Sequence, residues 1–106
     1  MSRHYSDAAP AREQLDDSDG VVLLDFGTDW CGHCQAARGV VDAWTAMHPA
    51  LRHVRVEDGR GRPLGRSYAV KLWPTLILLR DGEAIARVVR PRSREDLDPL
   101  DVALER

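Results

Sequence analysis

Both cysteines of this 106-residue chain lie in one tetrad, Cys31-Gly32-His33-Cys34. The tetrad comes shortly after residues 21–26, an apolar run that is typical of a strand buried on both faces. Apolar residues recur near helical spacing from Cys31 to Met47, so we expect a helix that begins at about Cys31 and places the two sulfurs one turn apart. A strand, a short turn and a helix in this order constrain the chain to an α/β fold with the cysteine pair at a helix N-terminus.

The two cysteines should differ in reactivity. The thiolate is the reactive form of cysteine, and the free N–H groups and aligned dipoles of a helix N-terminus stabilise negative charge. Cys31 is therefore the predicted nucleophile. Cys34 lies further inside the helix, where it should be less accessible and should resolve a mixed disulfide formed at Cys31. The tetrad thus predicts reversible disulfide chemistry.

Length and composition narrow the class of protein. The length suits one compact domain over residues 1–106. The formal net charge is −2 and the basic residues are scattered among acidic ones, which argues against nucleic-acid binding. We find neither a secretory signal nor a run of membrane-spanning length, so we expect a cytoplasmic protein without membrane association. In a reducing compartment a lone cysteine pair is more often catalytic or metal-binding than structural.

The other elements follow from hydrophobic patterns and turn signals. We expect two short helices, over residues 6–15 and 66–70, and three further strands, over residues 51–57, 75–79 and 84–89. Asp81-Gly82 lies between the last two strands and is a strong hairpin signal. A final helix is capped by Ser93, or by Asp98 with Pro99 as its first residue. This order of elements predicts a mixed sheet covered by helices on both faces.

With these elements in place, the chain resembles the thioredoxin family from about residue 21 to residue 104. The strand that contains Asp25, followed by Trp30 and the tetrad, is similar to the redox motif of that family. Trp73-Pro74-Thr75 is similar to its cis-proline loop, and the hairpin after it is similar as well. The resemblance implies a thioredoxin fold, a mixed central sheet flanked by helices on both faces, and the activity of a thiol-disulfide oxidoreductase.

The resemblance also implies roles for individual residues. In the family, the cis proline lies against the cysteine pair and the residue before it pairs its backbone with an extended substrate segment, so Trp73 and Pro74 should line the site. Asp25 is the only charge in its apolar run, and a buried carboxylate needs a partner. The resemblance places Asp25 beneath Cys34 as the acceptor of its proton. The alternative is a carboxylate at a strand end that reaches solvent.

Two residues depart from the family pattern in ways that bear on chemistry. Arg55 stands where thioredoxins often carry a lysine, and because guanidinium keeps its proton, an Arg55 pair should hold Asp25 ionised. A solvated arginine on the strand is the alternative. His33 stands where thioredoxins usually have proline. With histidine at this position, the tetrad is similar to that of protein disulfide isomerases. An imidazole beside Cys31 should favour the thiolate and raise the reduction potential, unless His33 is merely tolerated at the surface.

The predicted substrate-binding surface contains Trp30, Gly32, Trp73, Pro74, Val89 and Arg90. Relatives commonly have an aromatic residue at the position of Gly27, often a proline at that of Gly39, and usually a glycine where Arg90-Pro91 stands. These departures leave the choice of partner open. Arg90 beside an apolar groove either selects acidic partners or faces solvent.

The predicted function is electron exchange with protein disulfides through Cys31 and Cys34. No organic cofactor is expected, because the electrons reside on the sulfurs. Expected partners are disulfide-containing proteins and an electron donor, either a thioredoxin-reductase-like protein or a small thiol. A second possibility is a binding or chaperone module with little turnover. A third is a metal site in which both cysteines join a histidine such as His33, His48 or His53, although structural zinc commonly uses two spaced ligand pairs.

Four side chains outside the motifs complete the sequence-based expectations. Trp44 and Met47 fall on the apolar face of the long helix and should pack in the core. His48 and His53 have no motif around them and are expected at the surface.

Overall fold

The computed structural model describes residues 4–106. The first three residues of the predicted domain lie outside the described part. In chain order the elements are α1 (Arg12–Asp16), β1 (Val21–Gly27), α2 (Gly32–Ala46), β2 (Arg52–Glu57), α3 (Pro63–Ser67), β3 (Thr75–Arg80), β4 (Glu83–Val89) and α4 (Asp98–Leu104). A 3₁₀ turn over Arg94–Leu97 leads into α4.

Four strands form one mixed sheet in the order β2-β1-β3-β4. β1 pairs in parallel with β2, through the crossover that contains α2, and antiparallel with β3. β3 and β4 form the antiparallel hairpin that Asp81-Gly82 predicted. Both turn residues have positive φ, 50° and 83°, as a two-residue turn with the twist of a hairpin requires. The predicted mixed sheet is confirmed.

The apolar run of β1 is buried on both faces, as expected for a central strand. On one face Leu23 packs in a cluster with side chains of α2 and α4, including Trp44. On the other face Leu24 and Phe26 pack in a cluster with Leu15 of α1 and with residues of α3. Successive side chains of a strand point to opposite faces, so Asp25 lies on the same face as Leu23, beneath α2.

Three helix predictions need correction at their ends. The short helix expected over residues 66–70 lies at Pro63–Ser67, because Pro63 suits the first helical position. The first helix begins only at Arg12, after Pro10. Near the C-terminus, each of the two expected caps is correct in part. Ser93 caps the 3₁₀ turn rather than the final helix, and α4 follows with Leu97 as its N-cap and Pro99 in its first turn.

The long helix α2 places Trp44 in the core, where it is fully buried and donates a hydrogen bond from Nε1 to Asp101 Oδ1 at 2.9 Å. The prediction for Met47 is wrong: it is 66% exposed. Met47 is the C-cap residue of α2, where the chain leaves the helix before Pro49, so the apolar face no longer points to the core. Among residues 4–106, the helices fall short of the length and apolar content that a bilayer-crossing segment requires.

Candidate active site

The cysteine pair lies where β1 passes into α2. Cys31 is the N-cap residue of α2, with extended backbone angles, and its carbonyl accepts the hydrogen bond from the Gln35 N–H at 3.0 Å. Cys34 lies in the first turn of the helix and points inward. Cys31 is 9% exposed and Cys34 is 1% exposed. The predicted start of the helix and the predicted difference in access are confirmed.

The Cys31 thiol is prepared for ionisation by its surroundings. Burial opposes the thiolate, but the backbone N–H of Cys34, the Cys34 side chain and the backbone N–H of His33 donate hydrogen bonds that favour it. The positive charge of Arg90 acts in the same direction. Together these contacts hold the pKa of Cys31 below its ordinary value. A thiol with this environment forms the attacking thiolate more easily than an ordinary cysteine.

Cys34 lies in the opposite environment. Burial raises the pKa of the Cys34 thiol to about 11, and the neighbouring Cys31 adds to the rise. The backbone N–H of Thr28 donates a hydrogen bond that favours the thiolate, and the contact with the Tyr5 hydroxyl acts in the same direction, but the two do not offset burial. Cys34 therefore needs a group that removes its proton before it can attack.

Asp25 is buried on the sheet face that α2 covers, and among the described residues three side chains lie close to its carboxylate. The Tyr5 hydroxyl donates a hydrogen bond to Oδ1 at 2.6 Å. On the other oxygen, Arg55 Nε donates to Oδ2 at 3.3 Å, and His53 Nε2 lies 3.4 Å from Oδ2. The alternative of a solvent-facing carboxylate is excluded, whereas the role of Asp25 as proton acceptor stays a prediction.

Arg55 is buried between two carboxylates. Besides Asp25, it contacts Asp42 of α2, to which Nη2 donates at 2.7 Å. Burial opposes the guanidinium charge, but the hydrogen bond to Asp42 and the charges of Asp25 and Asp42 more than compensate and raise the pKa of Arg55. Arg55 is therefore not a solvated arginine of the strand. It is a fixed positive charge beside the buried acid.

The surface position predicted for His53 is wrong, since its side chain is only 2% exposed. In the parallel register Asp25 is paired with Arg55 and Leu23 with His53. His53 and Arg55 thus share the sheet face that α2 covers. The His53 side chain is buried because this face of β2 packs under the helix.

The predicted substrate-binding surface is assembled around the cysteines. Trp30 is 72% exposed, and its ring meets that of Trp73 edge to face, with ring centroids 5.7 Å apart. The Trp73–Pro74 peptide bond is cis, the geometry that the resemblance implied. Trp73 is held by a hydrogen bond from Nε1 to Asp58 Oδ2 at 2.8 Å. Val89 is exposed at the end of β4.

Arg90 closes one side of this surface. It has a positive φ of 53°, and its backbone N–H donates to the Pro74 carbonyl at 2.9 Å. Its side chain folds back, and Nε donates to the Trp73 carbonyl at 2.7 Å. The guanidinium is thus half-buried and close enough to act on the charge of Cys31, rather than simply facing solvent. Whether it selects acidic partners stays a prediction.

Gly32 and His33 occupy the exposed first turn of α2. A Cβ built on Gly32 meets nothing within 4 Å, so the space above it is open to a partner. The backbone of His33 acts on Cys31, as described above, while the effect of its imidazole stays a prediction.

Sequence reasoning missed two residues of the site, Tyr5 and Thr28. Tyr5 belongs to the polar N-terminal stretch, and no motif surrounds it. One signal was present: Gly27 lacks the aromatic side chain that the resemblance leads one to expect, so another group had to fill that space. Thr28 acts through its backbone N–H, which no residue type reveals.

Comparison with known proteins gives one consistent result. The family model described as Thioredoxin matches residues 5–100. The chain belongs to the thioredoxin family. A thioredoxin of Chlamydia trachomatis is 37% identical over 82 residues, which cover 76% of this chain and 79% of the relative. A thioredoxin of Listeria monocytogenes is 30% identical and aligns over 94% of this chain and 95% of its own length.

Solved structures agree with this assignment. Thioredoxin 2 from Pseudomonas aeruginosa PAO1 in its reduced form is 50% identical, with a TM-score of 0.88 over 99% of this chain and 98% of that protein. The architecture described above is therefore the thioredoxin fold. As a thioredoxin family member with the Cys31-Cys34 pair in place, the protein is a thiol-disulfide oxidoreductase.

The metal alternative has no geometric support in the part of the chain that the structure describes. Across residues 4–106, no three of the histidines, cysteines and acidic residues are grouped so that they could hold a metal ion. His53 is directed toward Asp25, and His48 stacks on Trp44 with ring centroids 4.1 Å apart.

Proposed function

We propose that this thioredoxin family member reduces disulfides of other proteins, with Cys31 as the attacking thiol and Cys34 as the resolving thiol. The observation that carries the proposal is the opposite tuning of two sulfurs one helical turn apart. Cys31 is 9% exposed and has a lowered pKa, and Cys34 is 1% exposed and has a pKa of about 11. Such a pair acts in a fixed order.

In the first step, the Cys31 thiolate attacks one sulfur of the substrate disulfide. The substrate S–S bond breaks, a mixed disulfide forms at Cys31, and the released substrate thiolate takes a proton from water. In the second step, Cys34 loses its proton toward Asp25 and attacks the Cys31 sulfur. A Cys31-Cys34 disulfide forms, and the second substrate thiolate leaves. The substrate gains two electrons, and the cysteine pair loses them.

The surface around Cys31 suits an extended segment of a partner protein. Trp30, Trp73 and Val89 offer apolar contact, and open space lies above Gly32. Arg90 adds a positive charge at the edge, so we propose a preference for substrates with acidic residues beside the disulfide. Because Arg90 Nε already donates to the Trp73 carbonyl, a partner strand that pairs with Trp73 shares this acceptor with Arg90.

Substrate preference is measurable by trapping. In a Cys34→Ser background, mixed disulfides at Cys31 accumulate, and partners are identified by mass spectrometry. Adding Arg90→Glu should remove acidic partners from the trapped set and leave others in place. Identical sets from the two proteins would refute the preference.

We propose that no organic cofactor takes part, because the sulfurs themselves hold the electrons. The oxidised pair is then reduced by a thioredoxin-reductase-like protein or a small thiol. A cytoplasmic location fits this scheme, because that compartment supplies reducing equivalents and because both cysteines are used for redox chemistry. Fractionation of cells with an antibody to the protein tests the location.

Reduction of insulin under dithiothreitol tests the activity. The wild type should accelerate the reaction. Cys31→Ser should fall to the rate without protein, and Cys34→Ser should accumulate the mixed disulfide and turn over slowly. If the wild type gives no acceleration while Cys31→Ser still binds partners, the binding-module alternative replaces the proposal.

A further inference from the structure

Tyr5 is held firmly although it precedes the first helix. The neighbouring Ser6 pairs with β2: its N–H donates to the Arg55 carbonyl at 3.1 Å, and the Glu57 N–H donates to its carbonyl at 2.9 Å. The Tyr5 N–H donates to Asp29 Oδ1 at 3.0 Å. These contacts extend the sheet edge by one short segment and direct the Tyr5 ring under the cysteine pair.

Gly27 provides the space for this ring. A Cβ at position 27 would lie 2.8 Å from Tyr5 Cζ, 2.9 Å from the Tyr5 hydroxyl oxygen and 2.5 Å from Cys34 Sγ. These distances are shorter than any side chain tolerates, so the phenol and the Cys34 sulfur meet at the position a larger residue would fill. The absence of a side chain at Gly27 and the placement of Tyr5 therefore belong together.

The Tyr5 hydroxyl contacts both the acid and the thiol. It donates to Asp25 Oδ1 at 2.6 Å, a short bond typical of a charged acceptor. It also interacts with Cys34 and favours the thiolate there. Burial, followed by the charge of Asp25, holds the pKa of Tyr5 far above its ordinary value. The hydroxyl therefore keeps a proton of its own and can accept one only as it gives one up.

We propose that the Tyr5 hydroxyl relays the proton from the Cys34 thiol to Asp25 when Cys34 attacks the mixed disulfide. The proposal rests on the proposed functions of Cys34 and Asp25. The Cys34 S–H bond breaks as a Tyr5 O–H bond forms, and the original Tyr5 O–H bond breaks as Asp25 Oδ1 gains a proton. The Cys34 thiolate then forms the bond to the Cys31 sulfur, and the substrate thiolate leaves.

The arrangement of the two Asp25 oxygens favours this route. Oδ2 faces Arg55 and His53, which are both on β2, whereas Oδ1 accepts the Tyr5 hydroxyl. Through Arg55 the network continues to Asp42. The charged and titratable groups that bear on the relay are thus Cys31, Asp25, Arg55, His53 and Asp42, and the Tyr5 hydroxyl contacts both the acid and the thiol.

Stopped-flow reaction with an aromatic disulfide reagent separates the two steps. The bis(nitrobenzoate) disulfide releases one coloured thiolate when Cys31 attacks and a second when Cys34 resolves the mixed disulfide. With the reagent in excess, the first phase depends on its concentration, whereas the second does not and reports Cys34 alone.

Tyr5→Phe keeps the ring and removes the hydroxyl. We expect the first phase to be unchanged, and the second phase to slow by about tenfold or more near neutral pH with its pH profile moved to higher pH. Tyr68→Phe is the matched control, because the Tyr68 hydroxyl is also buried and has no hydrogen-bond partner among residues 4–106. A second phase in Tyr5→Phe equal to that of Tyr68→Phe overturns the relay. A slower phase with an unmoved pH profile also overturns it, because the effect is then structural.

The wild type provides an independent check that needs no variant. In mixtures of light and heavy water, two protons in flight give a curved dependence of the second phase on deuterium content. A linear dependence, one proton in flight, overturns the relay. Neither readout uses a protein substrate, so a wild type that shows both phases but fails to reduce insulin contradicts the proposed function and leaves the relay intact.

Discussion

The two cysteines of the tetrad lie one helical turn apart, yet their surroundings have opposite effects. Around Cys31 are exposed aromatic rings, backbone N–H groups of the helix start and the charge of Arg90. Cys34 contacts the buried side chain of Tyr5, whose hydroxyl donates to Asp25. We call the surroundings of Cys31 the outer side of the site and those of Cys34, with Tyr5, Asp25 and Arg55, the inner side. The outer side stabilises the thiolate of Cys31. The inner side disfavours the thiolate of Cys34.

This difference determines the order of the chemistry. The lowered pKa of Cys31 gives it more thiolate than an ordinary thiol has, and the raised pKa of Cys34 keeps the second thiol from reacting before a mixed disulfide exists. If both thiols had the low value, either could attack first and the inner one could form unproductive adducts. The asymmetry arises from the burial of Cys34 and from the groups that stabilise a thiolate at Cys31, namely the backbone N–H groups at the start of α2 and the charge of Arg90 after β4.

The largest expected effect comes from the inner side. Arg55→Met removes the buried positive charge from between Asp25 and Asp42, which should lower the free energy of unfolding by about 3–5 kcal/mol. Urea unfolding near neutral pH measures the change.

Arg52→Met is the matched control, since Arg52 is an exposed arginine on the same strand. It should change the free energy of unfolding by less than about 0.5 kcal/mol. If Arg55→Met and Arg52→Met have the same free energy of unfolding, the ion pair of Arg55 with Asp25 does not stabilise the fold.

A smaller effect is expected from the residue between the cysteines. His33→Ala removes the imidazole and keeps the backbone N–H that donates to Cys31. If the imidazole favours the thiolate, the reduced form loses stability and the potential should fall by about 30 mV, or ~1.4 kcal/mol. Equilibration with glutathione measures the potential. An unchanged potential would show that the imidazole does not stabilise the Cys31 thiolate.

The smallest effect is expected at Arg90. Arg90→Gln keeps a side chain of similar length at the same positive φ but loses the charge, so the pKa of Cys31 should rise, by less than about one pH unit because solvent screens a half-buried group. The absorbance of the thiolate in a pH titration reports this. Arg92→Gln, an exposed neighbour, serves as control and should leave the titration unmoved.

The sequence predicted the elements well because most of them have strong local signals. Each of three local signals predicts its element without help from the rest of the chain: the apolar run predicts β1, Asp81-Gly82 predicts the hairpin turn, and the helical period predicts α2. The errors fall at helix ends, where the signal is a single residue. Pro63 begins α3 earlier than expected, and Met47 continues the helical period but lies at the cap.

The sequence predicted the outer side of the site and, on the inner side, the pair of Asp25 with Arg55. The tetrad and Trp73-Pro74 are contiguous motifs, whereas the inner side is assembled from residues far apart in the chain. His53 looked like a surface residue because periodicity shows that a strand has two faces but not which of them a helix covers. Tyr5 was missed because its contact with Asp25 spans 20 residues, and only the empty space at Gly27 pointed to it.

The central claim, opposite tuning of the two thiols, is tested most directly by alkylation of the reduced protein with iodoacetamide over a pH series. Mass spectrometry with fragmentation assigns the modified cysteine. Since only the thiolate reacts, Cys31 should be modified with a midpoint below the ordinary thiol value, and Cys34 should stay unmodified until the pH approaches about 11. Equal modification of both cysteines near neutral pH, or Cys34 reacting first, would contradict the account.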